Sequence, residues 1–254
     1  MEQTFTFNSQ YLGQLSTIAP ESFYVLDILQ RKICYVKSDD LFLCGFSTED
    51  VLKLGYDFYP KIIHSDDLPL WMDMREHILQ YLKVFEGNRD EIDCFTCTFR
   101  LQRTYSFSTR PLLQMVCHRI KPVWTDNELR YLICCVESST IGKVGNLCLH
   151  YKDGLRYDEY KFLTRRWKQK IKESLTERER AILMLAQQGR SSTEIGDILC
   201  KGHNTIRNQI KALFSKLKMH SMQGTIEFAR NFRMIYPIRD IKIKNIDTPK
   251  KYKV

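Results

Sequence analysis

The sequence predicts an α+β fold in two parts, an N-terminal antiparallel sheet grouped with helices and a C-terminal set of four short helices. Three observations carry that prediction. Apolar runs of period two cluster at 23–36 and again at 92–137, with segments of helical period between them. Beyond residue 173, two Ser/Thr-x-x-Glu capping boxes follow each other closely, and each opens a short apolar stripe. The charge divides along the same line, since residues 1–140 hold 14 Lys and Arg against 19 Asp and Glu, and residues 141–254 hold 25 against 11. A concentrated positive half suits a polyanion, and its acidic neighbour does not.

At 254 residues, 43% hydrophobic and 27% charged, the chain has room for two ordinary domains and is neither a disordered tail nor a mini-protein. Apolar runs such as Leu132–Val136 fall far short of the roughly 20 residues that cross a bilayer. The first residues show no basic segment followed by an apolar stretch, so a cytoplasmic protein with no membrane partner is expected. Nine cysteines, an odd number set mostly in apolar segments, argue against a disulfide framework. Cys94 and Cys97 lie on a predicted strand, where residues three apart face opposite sides and cannot share one metal. There is no Gly-rich phosphate loop, metal-ligand cluster, nucleophile motif or receiver-like βα repeat, so no enzyme, metal or built-in cofactor is expected.

Phe23–Leu29 and Lys32–Val36 are β-branched and aromatic runs split by Gln30-Arg31, which predicts two strands and a tight turn. Ser47-Thr-Glu-Asp50 supplies an N-cap and a carboxylate three residues on, and Gly55 ends the helix it opens. A longer helix follows, capped by Asp66 or Asp67, with Leu70, Met74, Tyr81, Leu82 and Phe85 near helical spacing before Gly87. Strands are expected at about 92–102, 111–120 and 130–137, the first with Phe95, Cys97, Phe99 and Leu101 on one face.

Two strands, several helices and three strands, together with Phe58-Tyr-Pro-Lys-Ile-Ile-His-Ser-Asp-Asp-Leu68, resemble a PAS domain over about residues 18–138. The Gly and Trp common after residue 101 in that family are replaced by Gln102-Arg-Thr-Tyr-Ser-Phe-Ser-Thr-Arg110. The resemblance implies that residues 1–140 form a sensory or dimerisation domain whose cup takes a small molecule, haem or flavin, the ligand being left open. His64, just before the helix cap, reads as a loop or capping residue rather than a haem ligand, and Cys44 and Cys117 read as core.

Residues 141–172 read as a connection. Lys152-Asp153-Gly154 between Leu147–Tyr151 and Leu155–Tyr157 signals a hairpin. A basic amphipathic helix is expected over 160–172, with Phe162, Leu163, Trp167 and Ile171 near one face among six Lys and Arg.

The C-terminal half is the more specific. Thr176 and Glu179 form a capping box ahead of Ile182, Leu185 and Ala186, and Ser191 and Glu194 form another ahead of Ile195, Ile198 and Leu199. A third helix from about His203 to Lys218 places Ile206, Ile210, Leu213 and Leu217 on one face, so Arg207, Asn208 and Lys211 point elsewhere. Those are the side chains a major-groove reader needs, because Arg and Lys donate to guanine and Asn pairs with adenine.

Leu175-Thr-Glu-Arg-Glu-Arg-Ala-Ile-Leu183, Gly189-Arg-Ser-Ser-Thr-Glu-Ile195 and Thr205-Ile-Arg-Asn-Gln-Ile210 resemble the LuxR/GerE type of helix-turn-helix in content, order and spacing. The resemblance covers about residues 173–234, within a DNA-binding domain expected over 173–236, and implies base reading by Arg207, Asn208 and Lys211. It also implies phosphate contacts near Lys201, His203, Asn204, Thr205 and Gln209. In the family a fourth helix, here about 221–236 with Ile226, Ala229, Phe232 and Arg233, often supports dimerisation. Three positions depart from the pattern: Lys201 replaces an apolar turn residue, Gly202 replaces a Ser cap and Gln209 replaces a His. Either Lys201 buries its stem there or Cys200 takes the apolar role. The tail over 237–254 is basic and adds non-specific attraction to DNA.

The sequence therefore predicts a dimeric transcription regulator that binds double-stranded DNA under control of the PAS-like domain, with RNA polymerase as a further candidate partner. The alternative is a small-molecule or redox sensor, holding haem or flavin, that acts mainly through protein contacts.

Overall fold

A computed structural model describes residues 9–103 and 110–235. The segment 104–109, Tyr236 and the expected basic tail over 237–254 lie outside the described residues. The chain divides into two compact units between Lys172 and Glu173.

The first unit contains α1 (Ser9–Ile18), β1 (Ser22–Asp27), β2 (Lys32–Val36), α2 (Asp40–Leu43), α3 (Thr48–Leu54), α4 (Tyr59–Ile62) and α5 (Leu68–Val84). Six further strands follow: β3 (Ile92–Arg103), β4 (Leu112–Thr125), β5 (Glu128–Ser138), β6 (Gly145–Tyr151), β7 (Arg156–Lys161) and β8 (Arg166–Ile171). They form one sheet in the order β2-β1-β5-β4-β3-β6-β7-β8, antiparallel at every pairing. The first five strands, in the order 2-1-5-4-3 with the helices inserted between β2 and β3, give the PAS-like architecture.

Strand parity decides which side chains face α5. Phe95, Cys97 and Phe99 of β3 stand opposite Ile120, His118 and Val116 of β4, and Ile120 and His118 stand opposite Cys134 and Val136 of β5. Tyr24 and Leu26 of β1 continue the row against Cys134 and Leu132. Onto this face α5 lays Trp71, Met74, Ile78 and Leu82, spaced three, four and four apart, as a helix burying one stripe requires. Cys97 lies on that inner face, whereas Cys94 Sγ accepts a hydrogen bond from Arg119 Nη1 at 3.4 Å on the other.

Two local expectations are corrected. Asp67 stands at the N-cap of α5, but its side chain makes no capping bond. Its carboxylate instead accepts from the Arg100 backbone amide at 2.8 Å and from Arg100 Nε at 2.9 Å, tying the helix start to β3. The second correction concerns 160–172, which forms the β7–β8 hairpin rather than a basic helix. Tyr160 pairs with Trp167, and both rings pack on the core beside Tyr81 and Phe95, leaving Leu163 and Ile171 102% and 77% exposed. Residues 145–171 thus extend the sheet through β6, β7 and β8 instead of only linking two units. The turn between β6 and β7 uses Gly154 at φ +70 and the Asp153 carboxylate, which accepts from the amides of Leu155 and Arg156.

The second unit contains α6 (Glu177–Gln187), α7 (Ser192–Ile198), α8 (His203–Leu217) and α9 (Met222–Asn231). Ile182, Ile195 and Ile206, one from each of α6, α7 and α8, form its buried centre, with Leu185, Leu199 and Ile210 packed around them. No helix among the described residues is long and apolar enough to cross a membrane.

Asp67 is buried, and burial alone would raise its pKa, but the hydrogen bonds from Arg100 outweigh that and hold its carboxyl below the ordinary range. A lowered folded-state pKa contributes stability above the unfolded pKa of about 4, lost as pH falls through the lowered value. Asp67→Ala leaves the partly exposed Arg100 guanidinium only Asp66, at 3.8 Å, and is expected to cost about 1–3 kcal/mol in urea unfolding. An unchanged midpoint would show that the pair does not anchor α5.

Candidate nucleic-acid interface and sensor cavity

The interface is built from α8 outward. Both helices before it start on a complete capping box: Thr176 Oγ1 accepts from the Glu179 amide at 3.2 Å while Glu179 Oε2 accepts from the Thr176 amide at 2.8 Å. Ser191 and Glu194 repeat the exchange at 3.3 and 2.8 Å. Glu179 also accepts from Lys216 Nζ at 2.8 Å, so the start of α6 holds the last turn of α8. Burial opposes ionisation of Glu179, but Lys216 and the Thr176 amide prevail and lower its pKa.

Ile206, Leu213 and Leu217 are buried along one face of α8, and Arg207, Asn208 and Lys211 are exposed. Arg207 and Lys211 are one turn apart and Asn208 adjoins them, so their hydrogen-bond donors share one accessible surface. Gly202 is the N-cap and supplies no side-chain bond, which leaves the first amides of α8 available to an anion. Lys201, Asn204 and Thr205 are exposed around that end.

Two of the expected phosphate contacts have internal engagements. His203 Nε2 lies 2.9 Å from Ser192 Oγ, bridging α7 and α8, and Gln209 is half-buried with its Oε1 enclosed and unpartnered. In the turn, Cys200 is exposed at φ +51, so it does not take an apolar role, and Leu199 packs on the core instead. Of the expected dimerisation residues on or after α9, Ala229 and Phe232 are buried, Ile226 is half-buried and Arg233 is exposed.

The first unit holds a cavity of about 30 Å³ between α5 and the inner sheet face. His118 lines it, and burial pushes its pKa down to about 3, so it is neutral at physiological pH. Its Nε2 is buried without a hydrogen-bond partner, among the rings of Tyr24, Phe42 and Phe99. Tyr59 donates to the Tyr24 hydroxyl at 2.9 Å in the same wall. Burial pushes the Cys97 and Cys134 thiols up, away from the reactive thiolate. His64 does not line the cavity: its Nδ1 accepts from the Asp66 amide at 3.3 Å, and Cys44 and Cys117 are buried. Among the described residues no group of three His, Cys, Asp or Glu could hold a metal ion.

Sequence reasoning expected a cup but named none of the residues that line it, although the parity of Val116 and His118 on β4 was a usable signal for an inward histidine. It also missed Gly196, whose place in α7 brings the chain close to the turn: a Cβ there would stand 2.7 Å from the Lys201 carbonyl oxygen. Glycine to alanine in a helix ordinarily gains up to about 1 kcal/mol. Gly196→Ala is expected to do the opposite, destabilising the unit by roughly 1–3 kcal/mol through forced displacement of the turn. A raised thermal midpoint would contradict that close approach.

Comparison with known proteins agrees with this geometry at the C-terminal unit. Residues 173–229 match the family described as bacterial regulatory proteins, luxR family. No curated relative matches the chain. Among solved structures, the chain is similar to the VqmA dimer of Vibrio cholerae at 12% identity, over 92% of this chain and 91% of that chain, with a TM-score of 0.29. It is similar to a VqmA–ligand–DNA complex at 13% identity, over 89% of this chain and 91% of that chain, with a TM-score of 0.31. A PAS domain from a two-component sensor histidine kinase is similar at 16% identity, over 51% of this chain and 95% of that chain, with a TM-score of 0.34. Residues 173–229 therefore form a LuxR-type helix-turn-helix domain, carried behind a PAS-like sheet.

Proposed function

We propose that the chain is a sequence-specific transcription regulator that inserts α8 into the major groove and is controlled by its PAS-like unit. The observation that carries this reading is the division of α8 into a buried apolar face and an exposed face bearing Arg207, Asn208 and Lys211, within the region that matches the luxR family. Arg207 and Lys211 would donate to guanine O6 and N7, and Asn208 would pair with adenine. Lys201, Asn204, Thr205 and the open amides at the start of α8 would hold the phosphate backbone and set the register. His203 would act chiefly by bracing α7 against α8, and Gln209 would donate its side-chain amide to a phosphate while its Oε1 stays enclosed.

Homodimer formation belongs to the same reading, because two copies related by a two-fold axis present recognition helices about 34 Å apart, on successive major grooves. With Ala229 and Phe232 inside the unit, Ile226 and Arg233 are the part of the expected dimer surface left for a second copy. A regulator of this kind works in the cytoplasm, where its DNA is.

Selection from random double-stranded DNA by the full chain tests the reading, with a two-part site as the expected enrichment. Arg207→Ala should then cost about 1–3 kcal/mol on the selected site and relax preference at one base position. Lys201→Ala should weaken all sequences alike and flatten the salt dependence by about one ion. Loss in Arg207→Ala that is equal on every sequence would remove it from base reading. Unchanged regulation in a variant lacking both Arg207 and Lys211 side chains would favour action through protein contacts.

A further inference from the structure

We propose that the cavity under α5 takes a small monocarboxylate with a short branched aliphatic body, its carboxylate held by Arg75; this rests on the reading of the first unit as the sensor. Among the described residues of the cavity wall, Arg75 is the only charged side chain and none is a carboxylate. Its guanidinium lies 5.3 Å from the Trp71 ring and 5.3 Å from the Tyr56 ring, which holds it at the border of the cavity. Among the described residues it forms no ion pair, whereas Arg100, Arg130 and Arg156 of the same unit each hold a carboxylate. A half-buried guanidinium with free donors and an apolar hollow beside it favours an anion, bound in a fork of parallel hydrogen bonds.

The rest of the wall sets the body of the ligand. Met74, Ile78, Leu26 and Leu132 are apolar, and His118 is neutral. A second carboxylate entering there would find no cation and would be costly to desolvate, so a dicarboxylate does not fit. At about 30 Å³ the cavity encloses two or three water-sized groups, which matches an isopropyl group and not a flavin or a haem. Tyr56, Arg75 and Ile120 are the partly exposed parts of the wall, so the ligand enters beside the guanidinium and leaves its charge there.

The test is calorimetric titration of the full chain with isobutyrate and with isobutyramide, which has the same shape and no charge, at fixed ionic strength. The acid is expected to bind at least about tenfold more tightly than the amide, the difference a charge-assisted pair supplies. Arg75→Gln should erase that preference, and Arg75→Lys should keep part of it, so a folding defect in the first variant does not decide the matter. Equal binding of acid and amide, undiminished acid binding by Arg75→Gln, or no binding of either by the unaltered chain would each overturn the assignment. DNA binding by the same preparations separates the two levels: intact site-specific binding with no carboxylate binding removes only the ligand. Failure to select any DNA site removes the regulator reading whatever the cavity binds.

Discussion

A helix of period 3.6 laid on a sheet of period two can share only one stripe with it, and in the first unit Trp71, Met74, Ile78 and Leu82 are that stripe. Each such side chain contributes roughly 1.5–3 kcal/mol on burial, so the stripe fixes which face of β3, β4, β5 and β1 turns inward. The flanks of α5 then have determined neighbours. On one side His77 reaches Tyr160 on β7 at 2.6 Å, which couples the three added strands to the helix. Arg75, one residue past Met74, is carried to the edge of the same stripe, where it stacks on Trp71 one turn earlier. The cavity and the place of Arg75 at its border are consequences of how the core is packed.

The second unit applies the same economy with less material. Around Ile182, Ile195 and Ile206 it also buries Leu183, Leu213, Leu217, Ala229 and Phe232, a smaller core than that of the first unit, so small terms weigh more heavily there. Two capping boxes worth about 1 kcal/mol each and the Lys216–Glu179 contact hold the ends of helices too short to be stable alone. Because the burial is confined to one side of α8, the other side is released from any structural duty and is free to carry donors.

Features fixed by local chemistry were legible in the sequence. Both capping boxes, the strand parity of β3 and the apolar row Ile206, Leu213, Leu217 depend on near neighbours, and they occur where spacing places them. Features fixed by distant partners were not. Residues 160–172 carry Phe162, Trp167 and Ile171 at spacings that also fit a helix, and only pairing of Trp167 with Tyr160 resolves the segment as a strand. Asp67 looks like a cap until Arg100, distant in sequence, claims its carboxylate. Ala229 and Phe232 lie on an amphipathic helix whose apolar face can meet its own unit or a second copy, and periodicity does not distinguish these. The turn after α7 departs from its family pattern at Lys201 and Gly202, and the exposed Cys200 shows that the core is completed from Leu199 instead.

The size of the cavity also bounds what sensing can accomplish. A ligand shifts a two-state equilibrium only by the difference between its affinities for the two states. For a ligand of about six non-hydrogen atoms the ceiling of about 1.5 kcal/mol per atom limits total binding to about 9 kcal/mol, and coupling between sites is typically about 1–3 kcal/mol. DNA affinity, by contrast, falls by about a thousandfold or more between 50 and 200 mM salt when 6–10 phosphates are contacted. A basic half with 25 Lys and Arg against 11 Asp and Glu is subject to that larger effect. A regulator of the proposed kind would therefore switch only where ionic conditions already hold the DNA equilibrium near its midpoint. There a change of about 1.4 kcal/mol moves the bound-to-free ratio tenfold, while far from the midpoint the same coupling changes occupancy little.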